Sequence, residues 1–245
     1  MLFVRHASTP GMRTACFPGA DEDADAASLA RAHDLASAHG LASAHGLASV
    51  VAESVAAGSV AAGSVAAGSV AADSAAADSA VASAVVAGSV AWVAPSVAAR
   101  QTAAALGWEP CVVTALAEAD HGRWRGLPYG RVAREEPDAL ASWLADPDAA
   151  PHGGESLAVL AARVAGWLDS VRGEPEAVAV CDAGAIRAAL GHALGLDPVR
   201  AARFDLAPLS VTELTVTRGG WRVAHVNRKI LNRKILVVNV RKVLS

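Results

Sequence analysis

The chain has 245 residues, 53% of them hydrophobic but only 4% aromatic, with a formal net charge of −3. That length admits one large or two small domains, and because much of the apolar share is alanine, the core is smaller than the percentage suggests. From Arg222 onward seven lysines and arginines stand without an acid, and without those seven charges the formal −3 becomes −10, a balance that excludes a broad nucleic-acid-binding face on the main body while leaving room for a local cationic pocket.

Leu2-Phe3-Val4 reads as a buried strand that delivers Arg5-His6 to its carboxyl end, where Ala7 to Gly11 begins a loop. Ligands of open α/β sheets collect at that edge. From Leu35 to Val90 the chain is repetitive: LASAHG at 35–40 recurs at 41–46, and Ser-Val-Ala-Ala-Gly recurs from Ser54 to Gly68. Successive valines five apart rotate by about 140° on a helix, so no apolar stripe forms. The segment is expected to be a passive low-complexity insertion, and His39 and His45 are repeat copies rather than metal ligands.

Ala91 to Ala94 predicts a strand, Val97 to Leu106 a helix ended by Gly107, and Cys111 to Val113 a short strand. Leu116 to Pro128 reads as loop. Leu157, Leu160, Val164, Trp167 and Leu168 recur at helical spacing over 156–171, with Ser156 as the cap. Ala177 to Cys181 predicts a buried strand, Asp182-Ala183-Gly184 a tight turn, and Ala185 to Leu194 a helix stopped by Gly195. Ser210 to Thr217 and Trp221 to Val226 predict a hairpin turning at Gly219-Gly220. Strands alternating with helices imply an α/β fold, a mostly parallel central sheet with helices on both faces. The tryptophans read as packing residues.

Cys16, Cys111 and Cys181 form an odd, widely spaced set without a CxxC pair, which predicts reduced thiols rather than a disulfide framework or zinc site. There is no secretory-leader pattern and no uninterrupted apolar run of about 18 residues. A cytoplasmic chain without a transmembrane segment is expected. The organisation expected is a domain over 1–226, interrupted at about 35–90, and a basic extension over 227–245 in which Asn-Arg-Lys-Ile-Leu is duplicated.

Five blocks in order, Arg5-His6 after a strand, Ala99-Arg100-Gln101-Thr102-Ala103 opening a helix, Leu116-Ala117-Glu118 with Gly122 to Gly126, Gly153-Gly154-Glu155-Ser156-Leu157, and a strand-turn-helix ending Ile186-Arg187, resemble the histidine phosphatase superfamily. The resemblance covers most of residues 1–218 outside the insertion. It implies a phosphoglycerate mutase-like fold and a small phosphorylated substrate, with neither metal nor organic cofactor. His6 would attack phosphorus and form a phosphohistidine, a neutral imidazole offering one lone pair while its other nitrogen is held by a backbone carbonyl. Arg5 would place a planar cation beside the phosphate oxygens. Glu118 matches the proton donor to the leaving oxygen. Gly154, Glu155 and Ser156 would border the pocket at a helix start.

Three departures bear on activity. Ala98 stands where the family has a second arginine, and Asp182 where it has a second histidine; Arg5-His6-Ala7 also replaces the usual Arg-His-Gly. Losing one preorganised donor costs roughly 2.7–4 kcal/mol in comparable sites. A carboxylate about 4 Å from a phosphate adds repulsion of about 4 kcal/mol per charge pair at an effective dielectric near 20. Arg13, Arg100, Arg123, Arg187 and His152 are candidates to replace the missing positive charge, and spacing does not choose among them. Two readings stand: a divergent phosphomonoesterase acting through His6, and a catalytically silent binding module on the same fold.

Overall fold

The computed structural model describes residues 1–38, 91–174 and 177–229. The expected insertion beyond Ala38 and the extension beyond Lys229, with His39 and His45, lie outside the described residues. The elements in order are β1 (Leu2–Arg5), α1 (Pro10–Arg13), α2 (Ala26–Ala38), β2 (Ala91–Val93), α3 (Val97–Ala105), β3 (Cys111–Val112), α4 (Tyr129–Glu135) and α5 (Pro137–Ala145), then α6 (Leu157–Ser170), β4 (Val178–Cys181), α7 (Ala183–Leu194), α8 (Pro198–Ala201), β5 (Ser210–Thr217) and β6 (Gly220–Lys229). Six strands form one sheet in the order β3-β2-β4-β1-β5-β6. The first four pair in parallel, and β5 and β6 are antiparallel. This is the expected α/β architecture with helices on both faces.

Strands β1 and β4 are central, and their sequences show it: Leu2, Phe3 and Val4, like Ala179 and Val180, are buried on both faces and read as continuous apolar runs. Trp167 of α6 meets Phe3 at 6.3 Å and Trp92 at 5.3 Å between ring centroids, both edge-on, so one tryptophan ties α6 to two strands. Leu160, Val164 and Leu168 bury the same face of α6. A second cluster of Phe17, Trp124, Val132 and Trp143 packs α4 and α5 against the Gly122–Trp124 turn. No disulfide links the three cysteines. Among the described residues no helix is long and apolar enough to cross a membrane.

Three local expectations are corrected. Asp182-Ala183-Gly184 is not a turn: β4 runs into α7 directly, with Ala183 and Gly184 in its first turn and Asp182 extended at the N-cap. Leu35 and Ala36 belong to α2 and pack on the core, so the repetitive stretch begins inside an ordered helix. The hairpin turns at Arg218-Gly219, since Thr217 pairs with Gly220, and β6 continues past Val226 to Lys229. Helices α4 and α5 are additional to the sequence reading, which assigned no element over 129–145.

Candidate active site

Register builds the site. Arg5 of β1 pairs with Cys181 of β4 in parallel, so the next residues, His6 and Asp182, emerge side by side from two neighbouring strand ends. A backbone bond from His6 to the Cys181 carbonyl, 3.1 Å, continues the ladder by one residue. Ala98, Glu118, Tyr129 and Arg187 join them around a pocket of about 230 Å³. The sequence prediction for Arg5, His6, Glu118 and Asp182 therefore converges on one place.

His6 is buried, with 4% exposure. Its Nδ1 lies 2.7 Å from the Ala7 carbonyl oxygen, which can only accept, so Nδ1 carries a proton and Nε2 is the atom free for chemistry. Nε2 stands 2.9 Å from Asp182 Oδ1. Burial alone would lower the imidazole pKa, but the Asp182 carboxylate and its hydrogen bond outweigh it and move the value above that of free histidine. Burial likewise opposes ionisation of Asp182, while His6, Ser96 and Arg5 hold its pKa below the ordinary carboxylate range. Ser96 Oγ donates to the other carboxylate oxygen at 3.0 Å. Each member thus favours the charged form of the other, the carboxylate the protonated imidazole and the imidazolium the ionised carboxylate. An imidazolium has no lone pair at Nε2.

The loop carrying His6 is anchored by Thr102 of α3, whose hydroxyl accepts from Ala7 N at 2.9 Å and donates to the Ala98 carbonyl at 2.6 Å. Gln101 accepts from Ala24 N at 2.8 Å and donates to Asp23 at 2.7 Å. Thr102 thus braces the loop that carries His6, and Gln101 the Asp23–Ala24 segment.

Arg5 lines the pocket but is tethered: Nη1 donates to the Leu206 carbonyl, and Nη2 lies 3.4 Å from Met12 Sδ. Burial, and then the neighbouring Arg187, lower its pKa from the ordinary guanidinium value. Arg187 donates through Nε to the Phe204 carbonyl at 2.9 Å, an anchor that leaves its two terminal nitrogens for the pocket. Of the five candidate replacements, Arg187 is the one at the site. Arg13 pairs with Asp25, Arg123 with Glu136, Arg100 is exposed, and His152 packs 5.0 Å from Trp124.

Glu118 accepts from Gly184 N at 2.8 Å and from Ala119 N at 2.9 Å. Gly184 leaves room for this placement: a Cβ there would overlap the Glu118 carboxylate and displace it. Arg163 of α6 sets the preceding backbone, donating to the carbonyls of Ala115 at 2.7 Å and Ala117 at 3.2 Å while pairing with Glu155 at 2.7 Å.

Gly154, Glu155 and Ser156 do not border the pocket. Their polar groups are spent elsewhere: Gly154 N donates to His152 Nδ1 at 3.1 Å, Glu155 N to the Asp120 carbonyl at 2.7 Å, and Ser156 Oγ caps α6 by accepting from Val159 N at 3.2 Å. A Cβ at Gly154 would strike the Asp120 carbonyl, so this glycine permits close approach of two loops. The block braces the Glu118 loop. Ser96, Tyr129 and Arg163 were missed as contributors. Ser96 stands at the N-cap of α3, but its hydroxyl makes no cap bond.

A buried histidine at a strand end, the two arginines Arg5 and Arg187, and the carboxyl groups of Glu118, Asp182 and Glu22 line one pocket. Residues 72–229 match the profile of the histidine phosphatase superfamily, branch 1, and the chain belongs to that superfamily. A glucosyl-3-phosphoglycerate phosphatase of Mycobacterium tuberculosis is 39% identical over 66 residues, 26% of this chain and 30% of that protein. The match therefore spans about a third of the relative's length. The solved mycobacterial glucosyl-3-phosphoglycerate phosphatase in complex with VO3 superposes with a TM-score of 0.65 at 20% identity, covering 94% of this chain and 98% of the other. A phosphoserine phosphatase from Entamoeba histolytica in complex with 3-phosphoglyceric acid gives 0.65 at 15% identity, with 93% and 96% covered. These two likenesses establish the shared fold.

Proposed function

We propose that the chain is a phosphomonoesterase that hydrolyses a small phosphorylated substrate through a phosphohistidine at His6. The observation that carries this reading is the single pocket in which His6, with its Nδ1 proton fixed on Ala7, meets Arg5, Arg187 and Glu118. The phosphate enters between the two guanidinium groups, which offset its charge. Its field raises the cost of a neighbouring carboxylate, so the Nε2 proton passes over 2.9 Å to Asp182. That one transfer frees the nucleophile's lone pair and leaves Asp182 as a neutral donor to a phosphate oxygen, the role the family gives to a histidine. Nε2 then forms a bond to phosphorus as the ester P–O bond breaks. The departing alkoxide takes a proton from Glu118 in its acid form. Glu118, now a carboxylate, accepts a proton from water, whose oxygen attacks phosphorus and breaks the N–P bond. Net, one water cleaves one ester to an alcohol and inorganic phosphate.

A second reading has an observation of its own. If the His6–Asp182 ion pair survives phosphate binding, Nε2 remains protonated and the domain binds an anion without turnover. Hydrolysis of an aryl phosphate from about pH 5 to about pH 8, wild type against His6→Ala prepared identically, separates the two. A rate abolished by the substitution, together with an alkali-stable phosphoryl-enzyme, supports the phosphatase. Two proteins indistinguishable from buffer favour the binding module.

A further inference from the structure

A second cavity, of about 400 Å³, opens beside the first and shares Pro18, Glu118, Tyr129 and Arg187 with it. It runs from the phosphate site into the space between α6 and the α7–α8 corner. Its lining is dominated by Ala, Gly, Leu and Pro: Leu157, Leu160, Ala161 and Ala165 from α6, and Ala188 and Leu196 from α7 and the segment after it. Trp143 stands among them. Both helices present small side chains there, which leaves the volume open.

The position of the slot fixes its occupant. Glu118 and Arg187 stand on the border between the two cavities, so an ester oxygen within reach of Glu118 directs its alcohol away from the phosphate and into the slot. Deeper in, beyond that border, the ionisable groups are His121 and His192. His192 is engaged with Asp169 at 3.1 Å, and His121 is buried, its pKa lowered chiefly by burial. A carboxylate on the alcohol would find Arg187, already claimed by phosphate, and would face Glu118. Sugar hydroxyls would lose water against alanine and leucine side chains.

Taking the phosphatase reading as its basis, we propose that the slot is the leaving-group site and that the substrate is a phosphomonoester of a bulky apolar alcohol, rather than of a sugar or a hydroxy acid. Ala161 and Ala165, one helical turn apart, set the width of the slot and are specificity-determining residues.

The test uses the full chain with 2-phenylethyl phosphate and glycerol 1-phosphate, whose alcohols leave with similar difficulty, so that a preference reports binding. The expected result is kcat/KM at least about tenfold higher for the phenylethyl ester, and a ratio that shrinks about fivefold or more in Ala165→Leu, which fills the slot. A ratio near one, or one that Ala165→Leu leaves unchanged, overturns the proposal. His6→Ala is measured in parallel. If no ester shows His6-dependent turnover, the phosphatase reading has failed and calorimetric binding of the same two esters judges the slot on its own. Preference of about tenfold for the phenylethyl ester, narrowed by Ala165→Leu, then retains the slot as an apolar ligand site, and equal binding removes it.

Discussion

His6 Nε2 and Asp182 Oδ1 face each other at 2.9 Å because each lies one residue beyond the Arg5–Cys181 pair of two parallel strands. On the proposed mechanism, a proton shared between them decides whether the histidine can attack phosphorus. That mechanism requires one proton on the pair, since two abolish the lone pair and none leaves Asp182 charged against phosphate.

The pH profile follows from that count. The wild-type kcat/KM is expected to fall by about tenfold per pH unit above the raised His6 pKa, as the pair loses its proton. In Asp182→Asn the amide stores no proton and the imidazole loses its counter-ion, so that alkaline fall disappears and activity instead rises with pH through a lower His6 pKa. Profiles of the two proteins with a single aryl phosphate check the inversion; parallel profiles would refute the shared-proton account.

Stability carries the same signature with both signs. The His6 contribution is fully present below the ordinary imidazole pKa and is lost as pH rises through the raised folded value. Asp182 contributes above the ordinary carboxylate range and is lost as pH falls through its lowered folded value. Stability is therefore greatest between the two. His6→Ala, which leaves Asp182 buried without its cation, should cost about 3 kcal/mol, whereas His6→Gln with Asp182→Asn should cost clearly less. Urea midpoints at matched pH give both figures.

Gly184→Ala places a methyl group where the Glu118 carboxylate sits. Displacing the proton donor should lower kcat by about a hundredfold for alkyl esters. Aryl esters with good leaving groups, which need less protonation, should lose much less. Equal losses across a leaving-group series would exclude Glu118 as the donor.

Arg163→Ala removes the clamp on the carbonyls before Glu118 and strands Glu155. A loss of about 2 kcal/mol is expected, and Arg163→Lys should recover little of it, because one ammonium cannot span the carboxylate and the carbonyls together. Thermal or urea unfolding measures the loss. A lower kcat at unchanged KM would show that the clamp positions the donor.

The elements that the sequence made legible are those whose pattern and burial agree. The apolar run Leu2 to Val4, the 3.6-residue spacing of α6 and the stop at Gly195 of α7, with φ 64°, were all readable one segment at a time. Convergence of Arg5, His6, Glu118 and Asp182 was legible through order along the chain. Contacts between loops were not. Gly154 to Ser156 looked like an anion site because free amides at a helix start are anion-binding, and only the fold reveals that Asp120, His152 and Val159 use those groups internally. The choice of Arg187 over four other cations depended on where α7 aims its first turns. That follows from β4 entering the helix without a turn, contrary to what the Asp182-Ala183-Gly184 composition suggested.

The brace formed by Thr102 has a bearing on how this domain could be altered. Because the His6 loop is fastened to α3 by Thr102, and not by Asp182, the scaffold and the charge of the site are separate variables. Exchanging residue 182 changes the charge facing the nucleophile while the loop keeps its seat. On the proposed mechanism, one substitution at residue 182 then resets the balance between turnover and anion retention without a change of fold.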